Sequence, residues 1–200
     1  SEDLIQNWSR MEYLIRGGRA VLFPLWNGSY ERGGDYSPMG SGAVAFREKT
    51  IQWVKELRQT IDYLETRDDI DPDKIGFEGN SFGALMGPIL LALEPRLKTG
   101  ILLQGGFLAI AVAATPLPPD IDAVTSAPRV RVPILMLNGR YDPIFPYASS
   151  HLPLFEALGT PDSQKRFLTF SSGHSSYGWN SELYREGISW LDQLFGEPLR

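Results

Sequence analysis

The sequence predicts an α/β fold, with a mostly parallel sheet and helices on both faces, in a single domain spanning residues 1–200. Three observations carry this. Short apolar runs alternate with longer segments of helical periodicity along the whole chain. Gly, Pro, Asn and Asp punctuate the boundaries. The 200 residues, 42% hydrophobic and 22% charged, suffice for one sizeable core. No internal repeat or linker divides them.

Residues 3–16 place Leu4, Ile5, Trp8, Met11, Leu14 and Ile15 on one helical face, and Gly17-Gly18 ends that helix. "RAVLFPLW" (19–26) reads as a short buried strand with Pro24 near its end, and residues 27–42 as a loop. Residues 44–67 form a long helix. Phe46, Trp53, Val54, Leu57, Ile61 and Leu64 lie on one side of it, with Lys49, Glu56, Arg58 and Glu65 mostly on the other. Asp71 and Asp73, flanking Pro72, form a helix-to-strand turn rather than a metal loop. "KIGFEG" (74–79) is a strand, and residues 81–94 are an apolar helix that Pro88 should distort. Residues 99–106 are a strand, and 107–130 a Pro-rich, partly helical connection. Then come a strand (133–139), a helix (149–159), a strand (165–172) and an amphipathic helix (181–196).

Composition narrows the chemistry. A net charge of −5 without a Lys/Arg run argues against nucleic-acid or anionic-membrane partners. The absence of cysteine removes disulfides, thiolate metal sites and cysteine nucleophiles, and two histidines do not make a His-rich metal site. No metal and no cofactor are expected. No apolar run reaches the ~18 residues of a membrane span, and no signal peptide is visible. The expected location is cytoplasmic.

Gly79-Asn80-Ser81-Phe82-Gly83 is a G-x-S-x-G pattern with a strand before it and a helix after it. That context puts the serine on a strained turn, with Ser81 Oγ above the sheet edge. Both glycines are expected to avoid Cβ collisions, and the Phe82 N–H at the helix start faces a developing oxyanion. A serine needs a base. His174 follows the last strand on a Gly/Ser loop, at the carboxyl ends of the strands where open parallel sheets bind ligands. His151, after a Pro-rich loop, reads as a solvated surface residue. Asp142 lies three residues beyond the strand-ending Gly139 and supplies the carboxylate that orients the imidazole. Asp120, Asp122 and Asp162 are the alternatives, but none closely follows a strand. As a plain turn residue, Asp142 would do no more than start the Asp-Pro turn.

In "GFEGNSFGA", "LNGRYDPIFP" and "SSGH", in that order, the chain resembles the α/β-hydrolase superfamily. From Arg19 onward it is similar to the prolyl-oligopeptidase and dienelactone-hydrolase-like branch. "GRAVLFPLWNGSYERG" and "VPILMLNGRYDPIFPYASSHLPLFEALGTP" resemble hydrolase domains fused to bacterial serine/threonine kinases. The resemblance implies a serine carboxylesterase acting on a small-molecule ester, with Ser81 as nucleophile, His174 as base and Asp142 as orienting group. A serine peptidase of the same fold is the alternative, and a non-catalytic binding or scaffold domain the reading from another class. Family members carry additional N-terminal strands and a loop with a second oxyanion donor. This chain, with five expected strands against about eight, departs from that pattern. The donor would then come from a missing N-terminal segment, from "WNGSYERGG", or from a partner in a homo-oligomer.

Further candidates surround the site. Tyr30, Glu31 and Arg32 line the substrate pocket or contact a leaving group, or else form a loop-anchoring ion pair. Phe107, with Leu108, Ile110, Leu117 and Ile121, forms an acyl pocket or belongs to the core. Tyr177 and Trp179 rim the entrance, though Trp179 is as readily core.

Overall fold

The computed structural model of the chain describes residues 11–33, 42–107, 117–174 and 180–198. Four strands form a parallel sheet in the order β1 (Gly76–Asn80), β2 (Thr99–Leu103), β3 (Ile134–Gly139) and β4 (Lys165–Phe170). Their registers pair Gly76 with Thr99, Ile101 with Leu135, and Gly139 with Phe170. β2 and β3 are buried at every position, as strands covered on both faces must be.

The two-residue alternation splits the core. Leu102, Ile134 and Met136 point to one face, where they meet α2 (Gly42–Glu65), α3 (Phe82–Leu93), the short α4 (Ala123–Ser126) and α5 (Leu152–Ala157). Ile101, Leu103, Leu135 and Leu137 point to the other. There they pack on Tyr13 and Leu14 of α1 (helical at residues 11–16) and on Leu183, Trp190 and Leu191 of α6 (Asn180–Phe195). Helices therefore cover both faces. Residues 3–10 of the expected first helix lie outside the described residues.

α2 forms where its apolar spacing predicts. Phe46, Trp53, Val54, Leu57 and Ile61 are buried. Glu56, expected on the polar side, is buried as well, because its carboxylate accepts the Asn27 N–H (2.9 Å) and pairs with Arg32 (2.8 Å). α3 is apolar all round and sits inside the fold, with Ala84 to Leu91 buried and Pro88 among them. Asp71 caps the Pro72–Lys74 turn by accepting the Asp73 N–H, which is the structural role expected for that pair.

The expected strand at 19–26 does not form. An apolar run becomes a strand only beside another strand, and this one has none next to it among the described residues. The Arg19 N–H turns back to Leu14 O, and Pro24 has no N–H to give. Instead Val21 and Phe23 line a cleft of about 2230 Å³ whose opposite wall is β1. Ser81 N–H donates to Leu103 O and Lys98 N–H to Ile75 O, both at 2.8 Å, so the odd-numbered residues of β1 face β2. Gly76, Glu78 and Asn80 turn their backbone groups toward the cleft, where no described strand pairs with them.

Glu78 projects into the α1/α6 face. Its carboxylate accepts the hydroxyl of Tyr13, whose ring stacks on Tyr184 at 4.4 Å. Burial pushes the carboxyl up from 4.5 to about 7, against the pull of the Tyr13 hydrogen bond. The folded state therefore holds a proton that the unfolded state has lost between pH 4.5 and about 7. Stability from this group is full below that window and falls as pH rises through it. Glu78→Gln keeps an acceptor for Tyr13 without the charge. It is expected to flatten the decline and to melt above wild type at pH 8. Melting temperatures of both proteins from pH 4 to 8 check this; parallel curves would contradict it.

Among the described residues no helix is long and apolar enough to cross a membrane, and no group of three His, Asp or Glu is placed to hold a metal ion.

Candidate active site

Ser81 occupies the turn between β1 and α3 at φ 54°, ψ −109°, a backbone region costly for a residue with a Cβ. Its N–H is tied to Leu103 O at 2.8 Å and its carbonyl accepts the Leu85 N–H at 3.0 Å, so strand and helix hold the turn from both ends. The glycine requirement is one-sided, contrary to expectation. A Cβ on Gly79 would sit 2.5 Å from the Gly83 backbone, whereas one on Gly83 would meet nothing within 4 Å. Close approach, not symmetry, fixes glycine at position 79.

The structure brings Ser81, His174 and Asp142 together. Ser81 Oγ lies 2.9 Å from His174 Nε2, and His174 Nδ1 lies 2.8 Å from Asp142 Oδ2. The other oxygen, Oδ1, accepts the N–H groups of Ile144 (2.8 Å) and Phe145 (2.9 Å). That second grip holds the carboxylate plane and leaves Oδ2 to the imidazole. The Asp142 side chain has no exposed surface, while 24% of that of His174 is exposed. The imidazole thus reaches from a dry anchor to an accessible serine, with its outer face open to a reactant. Asp142 lies just past the end of β3 and His174 just past the end of β4, and these loops are stitched by Arg140 N–H to Phe170 O and Tyr141 N–H to Ser172 O.

Phe82 opens α3, so its N–H belongs to the first turn, where the helical ladder supplies no carbonyl. Its ring packs edge-on against Trp53. Trp53 Nε1–H donates to Asn27 O (3.1 Å), and Glu56 holds Asn27 N–H, so α2 fixes the 26–32 turn against the serine's helix.

The surrounding candidates divide. Tyr30 lines the same cleft as Ser81 and Phe82, at φ 47°, its ring edge against Phe23. Arg32 is not brought to the serine: its guanidinium pairs with Glu56 and donates to Leu25 O, the loop-anchoring arrangement. Phe107 and Ile121 are buried core residues beside α3, with Leu117 packed against that core. Tyr177, Trp179, Leu108 and Ile110 lie outside the described residues.

His151 overturns the sequence reading. It is fully buried, not solvated, and its Nε2 lies 3.7 Å from Asp142 Oδ2. The serine, the aspartate and both histidines of the chain therefore belong to one cluster.

The sheet, its helical cover and this site together have the α/β-hydrolase fold, which comparison with solved structures bears out. A cold-adapted esterase from an Arctic intertidal metagenomic library is 27% identical, with a TM-score of 0.63 over 84% of this chain and 66% of the esterase. This chain therefore spans just under two thirds of that esterase's length. A monoacylglycerol lipase from Paleococcus ferrophilus (17% identity, TM-score 0.64, 94% of this chain and 89% of the lipase) shares the fold. So does a puromycin hydrolase (21%, TM-score 0.61, 76% of this chain and 27% of the hydrolase). No family model matches the sequence, and no curated protein matches it.

Proposed function

We propose that the chain is a serine hydrolase that cleaves small carboxylic esters through an acyl-enzyme. The observation carrying this reading is the unbroken chain of short contacts from Ser81 Oγ through His174 to Asp142, built on a strained serine turn. In the first half-reaction Ser81 Oγ attacks the ester carbonyl and its proton passes to His174 Nε2. The carbon–oxygen bond to the alcohol then breaks, and the departing oxygen takes that proton. In the second, His174 takes a proton from water, the hydroxide attacks the acyl carbon, and Ser81 Oγ leaves with the proton restored. Asp142 fixes the tautomer that presents Nε2 to the serine and stabilises the imidazolium.

The Phe82 N–H supplies one oxyanion donor. The second comes from the 26–31 turn that lines the cleft, or from an additional segment or subunit seated along the open side of β1. Removal of one such donor lowers the rate on the order of 100- to 1000-fold. The finer likeness to kinase-linked hydrolase domains rests on the two motif stretches alone and adds nothing to the chemistry. The 27% identity to an esterase favours esters over amides.

A fluorophosphonate probe and a series of p-nitrophenyl esters, set beside peptide anilides, test the reading. Phosphonylation mapped to Ser81 by mass spectrometry and turnover of short-chain esters are expected. A folded protein that leaves Ser81 unlabelled and turns over no ester would sink it.

A further inference from the structure

The chain before α5 makes one π-helical turn, Tyr147–His151, in which the His151 N–H reaches back five residues to Pro146 O. The extra residue turns the following side chains relative to an α-helix, and such turns concentrate at functional sites. Ser150 Oγ locks this one by donating to Phe107 O at 2.6 Å. The result is a histidine with no exposed surface whose two ring nitrogens have no hydrogen-bond partner within range. Its Nε2 is 3.7 Å from the oxygen of Asp142 that holds His174.

Burial would penalise a charge on this ring and pushes it down from 6.5 to about 4, Asp142 opposing and His174 adding to the shift. His151 is therefore neutral where a serine hydrolase works. Other charges nearby are engaged elsewhere. Arg140 lies over the Tyr147 ring, Lys165 points to the carbonyls of Phe155 and Leu158 and to Asp162, and Glu156 is exposed. From β4 the ring meets the edge of Phe167.

We propose that His151 is a positioning residue for Asp142: its Nε2–H faces Oδ2 from behind, steadies the carboxylate and tempers its hold on His174. A carboxylate facing an N–H dipole attracts an imidazolium less strongly. Removing that dipole tightens the Asp142–His174 pair and makes His174 harder to deprotonate. A mere packing role would leave His174 indifferent to whether position 151 carries a donor.

The inference rests on the triad reading, but its test needs no turnover. With two histidines, the protein gives two imidazole Cε1–H signals, and a substitution at 151 assigns them. NMR titration of wild type, His151→Phe and His151→Gln, with the ring ¹⁵N shifts of wild type, is the experiment. The expected results are an Nε2–H tautomer for His151 and a His174 midpoint raised by about half a pH unit in His151→Phe. In His151→Gln, whose amide N–H replaces the lost donor, the midpoint returns to the wild-type value. An Nδ1–H tautomer, an unmoved His174 midpoint in a folded His151→Phe, or equal shifts in both variants would overturn the proposal. If His151→Phe does not fold, the wild-type tautomer and the Gln midpoint decide.

Discussion

Ser81→Ala and His174→Ala are each expected to remove ester turnover and probe labelling, with kcat/KM falling by at least about 10³-fold. The serine carries the bond that forms, and no other hydroxyl is held at 2.9 Å from His174 Nε2 among the described hydrogen bonds. Without the imidazole, Ser81 Oγ keeps its proton and is no better than a solvent alcohol. The double variant should be no worse than either single one, because the two groups act as a unit. Asp142→Asn should fall less far, since its amide can hold the ring but favours the wrong tautomer. Steady-state kinetics on p-nitrophenyl acetate, with circular dichroism to show that each variant is folded, check the order. Equal activity in wild type and His174→Ala would dismantle the mechanism.

Gly139→Ala is expected to damage the site more than any other single methyl outside the three reacting residues. A Cβ there would lie 1.9 Å from Gly173 O, 2.6 Å from Ser172 O and 2.8 Å from Gly173 C, all of them backbone atoms. Backbone cannot swing aside as a side chain can, so the end of β3 and the loop after β4 must separate. Asp142 hangs from the first and His174 from the second, which puts the full displacement into their 2.8 Å contact. The expected cost is about 2–4 kcal/mol of stability, as for an overpacked site. A loss of at least about 10²-fold in kcat with little change in KM should accompany it, as misplaced catalytic groups produce. Gly173→Ala is the control: its Cβ would meet nothing nearer than Tyr141 O at 3.8 Å. Urea melts and kinetics on the pair separate the two. Similar behaviour of both variants would show that the strand ends yield more easily than the contact distances imply.

Much of this was legible in the residues. Periodicity placed α2 and α6, a continuous apolar run placed α3, and the flanking strand and helix turned a weak five-residue pattern into a placement for Ser81. Position just beyond a strand end pointed to His174 and Asp142, with the Ser-Asp-His order of the superfamily that the chain resembles as the further guide to Asp142. The failures have physical causes. "RAVLFPLW" has strand composition, but composition cannot name a neighbour, and a strand is a relation between two segments. Glu56 follows the polar side of its helix by periodicity alone, yet Asn27 and Arg32 reach it from the preceding turn and bury it. His151 was lost to one extra residue in a helical turn, which no propensity encodes. A usable signal was present in the apolar "LPLF" directly after it, since a helix that short buries its first turn along with its second. Glu78 offered another, as the one charged residue in its strand.

Among the described residues, the strands that deliver Ser81 and His174, β1 and β4, are each zipped to the sheet along one margin, whereas β2 and β3 are zipped along two. On warming, these outer strands should fray first, while the interior of the sheet still holds. Ser81 would then drift from His174 in a molecule that still looks native by circular dichroism. Heat inactivation should therefore run ahead of melting and reverse on cooling, which makes the working temperature a property of the sheet's two margins rather than of its interior.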